Sequence, residues 1–173
     1  MFDPIQMHGI IRYANRVRIK DEDLAQHSYS VAYYCFNIAE EFGIPDDIRN
    51  EAIAMAIIHD IGECFTSDLP HDVKYENPEL KELCDKLERK YVDRLTSCRD
   101  LWYKLEDNKD SIQYIMVKLG DSMSAKSYVE RELALGNKTP IMQEIYHDVE
   151  NRIISCRENL IMKVRELHNG ENK

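Results

Sequence analysis

Glycine and proline are scarce in this chain, six and five residues among 173, which removes most of the turn signals an all-β fold needs. No stretch approaches the ~18 consecutive apolar residues of a membrane span. The opening MFDPIQMHGIIRY lacks the charged and apolar regions of a signal peptide, so the expected setting is the cytoplasm. The five cysteines (Cys35, Cys64, Cys84, Cys98, Cys156) are odd in number and show no C-x-x-C pairing. That argues against a disulfide framework or a zinc ribbon and for buried reduced thiols. Net positive charge is also missing: the formal charge is −9, which argues against general affinity for a nucleic-acid polymer. Positive charge is nonetheless concentrated locally, with Arg12, Arg16, Arg18 and Lys20 inside nine residues, and small anions remain a candidate ligand class.

The chain does have helical periodicity over most of its length. With 43% apolar and 32% charged residues, it reads as one all-α domain, residues 1–173. Pro4 opens a short helix over 2–11, and Arg12 to Asp23 form an irregular basic loop. A helix over 24–42 follows, stopped by Gly43. A second, opened by Pro45 and Asp46, runs to a His-Asp pair. Residues 62–75 read as a loop, 77–95 as a long amphipathic helix, and 96–108 as a shorter helix or linker holding Trp102. Long helices over 109–135 and 140–168 complete the pattern.

The organising stretch is Ala52 to Glu63. Ala52 to Ile58 is apolar on nearly every side, the mark of a central buried helix, and it runs into His59 and Asp60, with Glu63 one turn beyond. Ionisable groups there are costly to desolvate unless paired or metal-bound. His-Asp also occurs at His71-Asp72 and His147-Asp148, but the former lies in a Pro-containing loop and the latter on a solvated helix face. A metal site needs ligands from other elements, for which His27 and Asp121 are the candidates. Imidazole with carboxylate suits Mn²⁺, Co²⁺, Fe²⁺, Zn²⁺ or, less well, Mg²⁺. The plainer alternative makes His27 a helix-start residue and pairs Asp121 with an arginine. Cys64 beside Glu63 has no visible activating partner and reads as packing.

Taken as an ordered set, His27, His59-Asp60 and Asp121 resemble the signature of the HD-domain metal-dependent phosphohydrolases. Arg12-Tyr13 and Gln26-His27-Ser28 are similar to the Arg-Trp and Glu-His-Ser of the bacterial 5′-deoxynucleotidases among them. HDIGECFTSDLPHDVKY (59–75) and Lys118-Leu119-Gly120-Asp121 match their later motifs. The resemblance spans roughly residues 10–135. Gln26 in place of an acid, Tyr13 in place of Trp and Ser67 in place of Gly depart from the pattern.

That resemblance implies an HD-domain helical bundle with one divalent ion held by His27, His59, Asp60 and Asp121. It implies Glu63 as general acid/base and Asp68 as the group orienting water or leaving oxygen. Arg12, Lys74 and Lys118 would neutralise phosphate, and Tyr13 would press on the sugar. The implied activity is hydrolysis of 2′-deoxynucleotides, as a 5′-deoxynucleotidase acting on dNMP. The alternatives are a dATP triphosphohydrolase, which the phage members of the superfamily are, and a non-catalytic nucleotide-sensing module. The expected partner is a small deoxynucleotide, with no membrane and with a second copy of the chain in a dimer or hexamer.

Overall fold

The computed structural model describes residues 2–69, 73–74 and 76–170. A short 3₁₀ helix, Pro4–Gly9, is followed by α1 (Leu24–Phe42), α2 (Asp46–Ile58), the single-turn α3 (Glu63–Thr66), α4 (Pro78–Val92), α5 (Arg99–Asp107), α6 (Ile112–Ala134) and α7 (Pro140–Gly170). The expected all-α class is what is found. No described helix is long and apolar enough to cross a membrane. His71, Asp72 and Tyr75, named in the sequence reading, lie outside the described residues.

Local chemistry sets the helix ends. The Asp23 carboxylate accepts the Gln26 N–H at 2.8 Å and caps α1. Gly43, in the left-handed region at φ 63°, closes it. Ser111 caps α6 by accepting the Tyr114 N–H at 3.1 Å. Antiparallel pairing of Ile11 with Asp23 pinches the basic loop shut, with Arg12 N–H on Glu22 O and Leu24 N–H on Ile10 O, both at 2.9 Å. Arg12 and Tyr13 are thereby delivered to the start of α1.

The core lies between α1, α2, α6 and α7, with Val31, Cys35, Ile38, Met55, Met116, Leu119 and Leu160 fully buried. Gly120 lets α6 lie close against α1. A Cβ at that position would stand 3.0 Å from the Val31 carbonyl oxygen and 3.4 Å from Cys35 Sγ, contacts too tight to accept without movement. A smaller cluster of Ile61, Val92, Leu95 and Trp102 holds α4 and α5 against the turn that follows α2.

In two places the observed elements depart from the periodicity. Helix α2 is not buried all round: Ile57 is 51% exposed and joins Tyr29, Tyr33 and Phe36 on an apolar outer face. Hydrophobic composition cannot tell a core from an uncovered face. In addition, α2 ends at Ile58, so Glu63 does not continue its register. Residues 59–65 wind through tighter contacts, including Ile61 N–H to Ile58 O at 3.1 Å and Glu63 N–H to Asp60 O at 2.9 Å. Gly62 lets α4 close over this turn, for a Cβ there would meet Glu88 Cβ at 2.9 Å.

Candidate metal and phosphate site

Three separate elements bring the predicted ligands together. His27 stands in the first turn of α1, His59 and Asp60 follow the end of α2, and Asp121 sits mid-way along α6 beside Gly120. The donor atoms of His27, His59 and Asp60 all lie within 4.8 Å of one another. Asp121 Oδ1 is 3.2 Å from His27 Nε2, so its partner is a histidine and not the arginine of the plainer reading. His147 and Asp148, by contrast, are exposed on α7.

The arrangement of buried donors and acceptors is one that a cation would complete. The His59 Nδ1–H donates to Ala56 O at 2.8 Å, which turns the Nε2 lone pair towards Asp60 Oδ2 at 3.0 Å. Two acceptors at that separation repel unless a proton or a metal ion lies between them. Neither His27 Nε2 nor His59 Nε2 has a hydrogen-bond partner, although both are buried. Burial disfavours a charged His59, yet Asp60 outweighs it and raises the pKa. Burial and then Arg12 bring His27 down to about 4, so its imidazole is neutral at physiological pH. Burial also opposes charge on Asp121, but His27 and Lys118 hold its carboxyl well below the usual range. A neutral His27 beside ionised Asp60 and Asp121, with the His59 proton displaceable by a metal, forms a donor set suited to a divalent ion.

The far nitrogen of His27 meets two neighbours with opposite demands. Arg12 Nη1 lies 2.9 Å from Nδ1 and can only donate. Ser124 Oγ lies 3.0 Å away and can accept. A ligating Nε2 requires the proton on Nδ1, and Ser124 is the neighbour that can receive it. Trp102 fixes the other histidine from behind, its Nε1–H donating to His59 O at 3.2 Å. Neither Ser124 nor Trp102 was singled out for this site from sequence, because each reaches it only through long-range packing.

A cavity of about 280 Å³ opens over the cluster, and Arg12, Tyr13, Asp68, Lys74 and Lys118 all line it, as does Glu63. Glu63 Oε2 is buried without a partner; burial, then Asp60 and Asp68, raise its pKa well above the ordinary value. Such a carboxyl holds its proton to higher pH than an ordinary carboxylate and can deliver it. Arg12 is buried in a salt bridge to Glu22 at 2.8 Å. Asp68 accepts the Tyr13 N–H at 2.9 Å, which ties the loop after α3 to the basic loop. Tyr13 stacks on Tyr128 with ring centroids 5.0 Å apart. Lys74 reaches the cavity already bonded to Glu88 at 2.8 Å. Lys118 has no salt bridge among the described residues, and although burial opposes its charge, Asp121 and Asp60 raise its pKa.

Tyr13 and Ser67 both adopt left-handed backbone, at φ 55° and 68°. For Ser67, ψ is 160°, a region that only glycine enters without cost. It is the position where Ser replaces the Gly of the resembled motif. Arg16, Arg18 and Lys20 do not line this cavity. The loop that carries them is braced by Glu132, which accepts the Ile19 and Lys20 N–H groups at 2.7 and 2.8 Å. Cys64 is no nucleophile here, its thiol pushed up to about 11 by burial and then by Glu63.

A family model described as 5′-deoxynucleotidase YfbR-like matches residues 4–165. The chain belongs to this family. It is a hydrolase of the HD-domain class. A 5′-deoxynucleotidase of Vibrio cholerae serotype O1 is 31% identical over 144 residues, 76% of this chain and 73% of the relative. The dATP triphosphohydrolase of Cyanophage S-2L is 25% identical over 137 residues, 75% of each chain. The solved Cyanophage S-2L HD phosphohydrolase, bound to dA and one catalytic Zn²⁺ ion, matches with a TM-score of 0.69 at 17% identity, covering 95% of this chain and 93% of its own. At that identity the likeness is one of fold.

Proposed function

We propose that the chain, read as one HD domain over residues 1–173, is a metal-dependent phosphohydrolase that cleaves the 5′ phosphoester of 2′-deoxynucleotides, acting as a 5′-deoxynucleotidase on dNMP. The observation that carries this is the contact of His59 Nε2 with Asp60 Oδ2 at 3.0 Å, with Nδ1 already committed to Ala56. His27, His59, Asp60 and Asp121 would hold one divalent ion, with Zn²⁺, Mn²⁺, Co²⁺, Fe²⁺ and Mg²⁺ the candidates. When bound it supplies Lewis acidity, polarising a phosphate oxygen and acidifying water. Lys118 and Arg12 neutralise the phosphate, with Lys74 sharing its charge with Glu88. Water oxygen joins phosphorus as the bond to O5′ breaks, the proton held by Glu63 passes to the departing O5′, and a proton brought in by the attacking water returns to Glu63 as orthophosphate leaves. Asp68, fixed by the Tyr13 N–H, orients the water or the leaving oxygen, and the Tyr13 ring faces the sugar.

A hydrolysis panel of dNMPs, rNMPs and dNTPs with several divalent ions tests this reading. Orthophosphate from dNMP with little from rNMP is expected, and no turnover of any substrate rejects it. Tripolyphosphate from dATP would favour the second reading, a triphosphohydrolase. Full metal binding with no hydrolysis would favour a nucleotide-sensing module. Self-association as a dimer or hexamer is supported by the apolar outer face of Tyr29, Tyr33 and Ile57, which are 72%, 57% and 51% exposed, and is read by sedimentation. A cytoplasmic setting accords with a nucleotide substrate and five free cysteines.

A further inference from the structure

The cavity does not stop at the metal cluster. Lys109, Tyr114 and Lys118 line it and also line a second pocket of about 290 Å³ formed by the start of α6 and by α7. The space therefore continues past Lys118. Arg152 reaches the main cavity from α7, and its Nε is buried without a hydrogen-bond partner. A buried N–H that has lost water and gained nothing is costly, and it gains a partner when an anion enters. Lys109, Lys118 and Arg152 make no salt bridge among the described residues. Asp121, Asp60 and Glu106 act on Lys118 without reaching salt-bridge distance. The lysine of the second pocket that does have partners is Lys163, 2.5 Å from Asp110 and 3.6 Å from Glu166.

A single phosphate over the cluster is served by Lys118 and Arg12, which leaves Arg152 and Lys109 in surplus. We propose that Arg152 and Lys109, sharing Lys118 with the reaction site, form a second anion subsite that holds phosphate groups beyond the one attacked. Its ligand class is a polyphosphate chain, carried on a nucleoside or free. A guanidinium fork and two lysine point charges lining one cavity are suited to successive phosphates, whose oxygens spread along a chain. The inference rests on the reading that the attacked phosphate lies over His27, His59 and Asp60.

The test is calorimetric titration of the metal-loaded protein with inorganic tripolyphosphate and, separately, orthophosphate, with metal content measured after each run. The wild type should bind tripolyphosphate at least roughly tenfold more tightly. Arg152→Gln and Lys109→Gln should each weaken tripolyphosphate about tenfold and orthophosphate by much less. Lys163→Gln should leave tripolyphosphate affinity within about twofold, because that lysine is already paired. Lys109 is exposed, so its replacement reports on the subsite without disturbing the core. Equal affinity of the wild type for the two anions, or equal loss of both in the variants, overturns the proposal. A protein that hydrolyses dNMP yet shows no tripolyphosphate preference loses the subsite and keeps the hydrolase reading. One that prefers tripolyphosphate but hydrolyses nothing does the reverse.

Discussion

The two ends of the cavity are built on opposite plans. At the Arg12 end each charge is answered within the protein: Arg12 by Glu22 at 2.8 Å, Lys74 by Glu88 at 2.8 Å, and Asp68 by the Tyr13 N–H at 2.9 Å. At the α6–α7 end Lys118, Lys109 and Arg152 have no salt bridge among the described residues and Arg152 Nε is buried without a partner; Glu63 on α3, although it lies among the paired groups, also has a buried and unpartnered Oε2. The closed network rigidifies loops that would otherwise wander, and it holds the His27 ring in place. The open groups carry an unmet electrostatic demand that a phosphate or a transferred proton satisfies. Function therefore concentrates where pairing is incomplete, and structure where it is complete.

The largest effect should come from the unpaired carboxyl of Glu63. Glu63→Gln removes the transferable proton and should lower turnover by about 10²–10⁴-fold while metal content stays unchanged. The same substitution should raise the melting temperature of the metal-free protein. Because the folded pKa of Glu63 is raised, the native state retains a proton the unfolded chain has lost. Stability therefore falls as pH rises from the ordinary carboxylate range towards the raised value, and Glu63→Gln should remove that decline. A melting curve as a function of pH that is identical in both proteins would contradict the assignment.

On the closed side, Glu22→Gln leaves the buried Arg12 without its counter-charge and should cost about 3–5 kcal/mol in denaturant unfolding. A loss below about 1 kcal/mol would mean that this end is not the closed network described. Ser124→Ala should weaken metal affinity by about 10–100-fold, since His27 then lacks the acceptor that favours its ligating tautomer. Unaltered affinity in a competition titration would assign that role elsewhere. The smallest change is Ser67→Gly, expected to stabilise by roughly 1 kcal/mol through relief of left-handed strain; destabilisation would indicate that the Ser67 side chain compensates for its backbone.

Much of this was legible in the linear sequence, for physical reasons that differ from residue to residue. Helix α1 was readable at both ends because Asp23 and Gly43 are local signals. His27, His59, Asp60 and Asp121 were readable as an ordered set because their elements recur in one fold, although only the folded chain brings them within reach. Ile57 misled, since an apolar residue on an uncovered face looks like core. The helical register expected of Glu63 also failed, because Gly62 and the approach of α4 impose a tighter turn. Ser124, Trp102 and Arg152 were silent: a hydroxyl, an indole and a surface-type arginine acquire their roles only from partners that are distant in sequence, such as His27 and His59.

The central claim is that two imidazoles and two carboxylates from three helical segments converge on one cation. Loading the metal-free protein with Co²⁺, then measuring bound ion per chain alongside the visible absorption of the ligand field, tests it most directly. One tightly held ion per chain is predicted, with His59→Ala and Asp121→Asn each abolishing the spectrum and the tight uptake. No specific uptake by the wild type, or a spectrum unchanged in both variants, would contradict it.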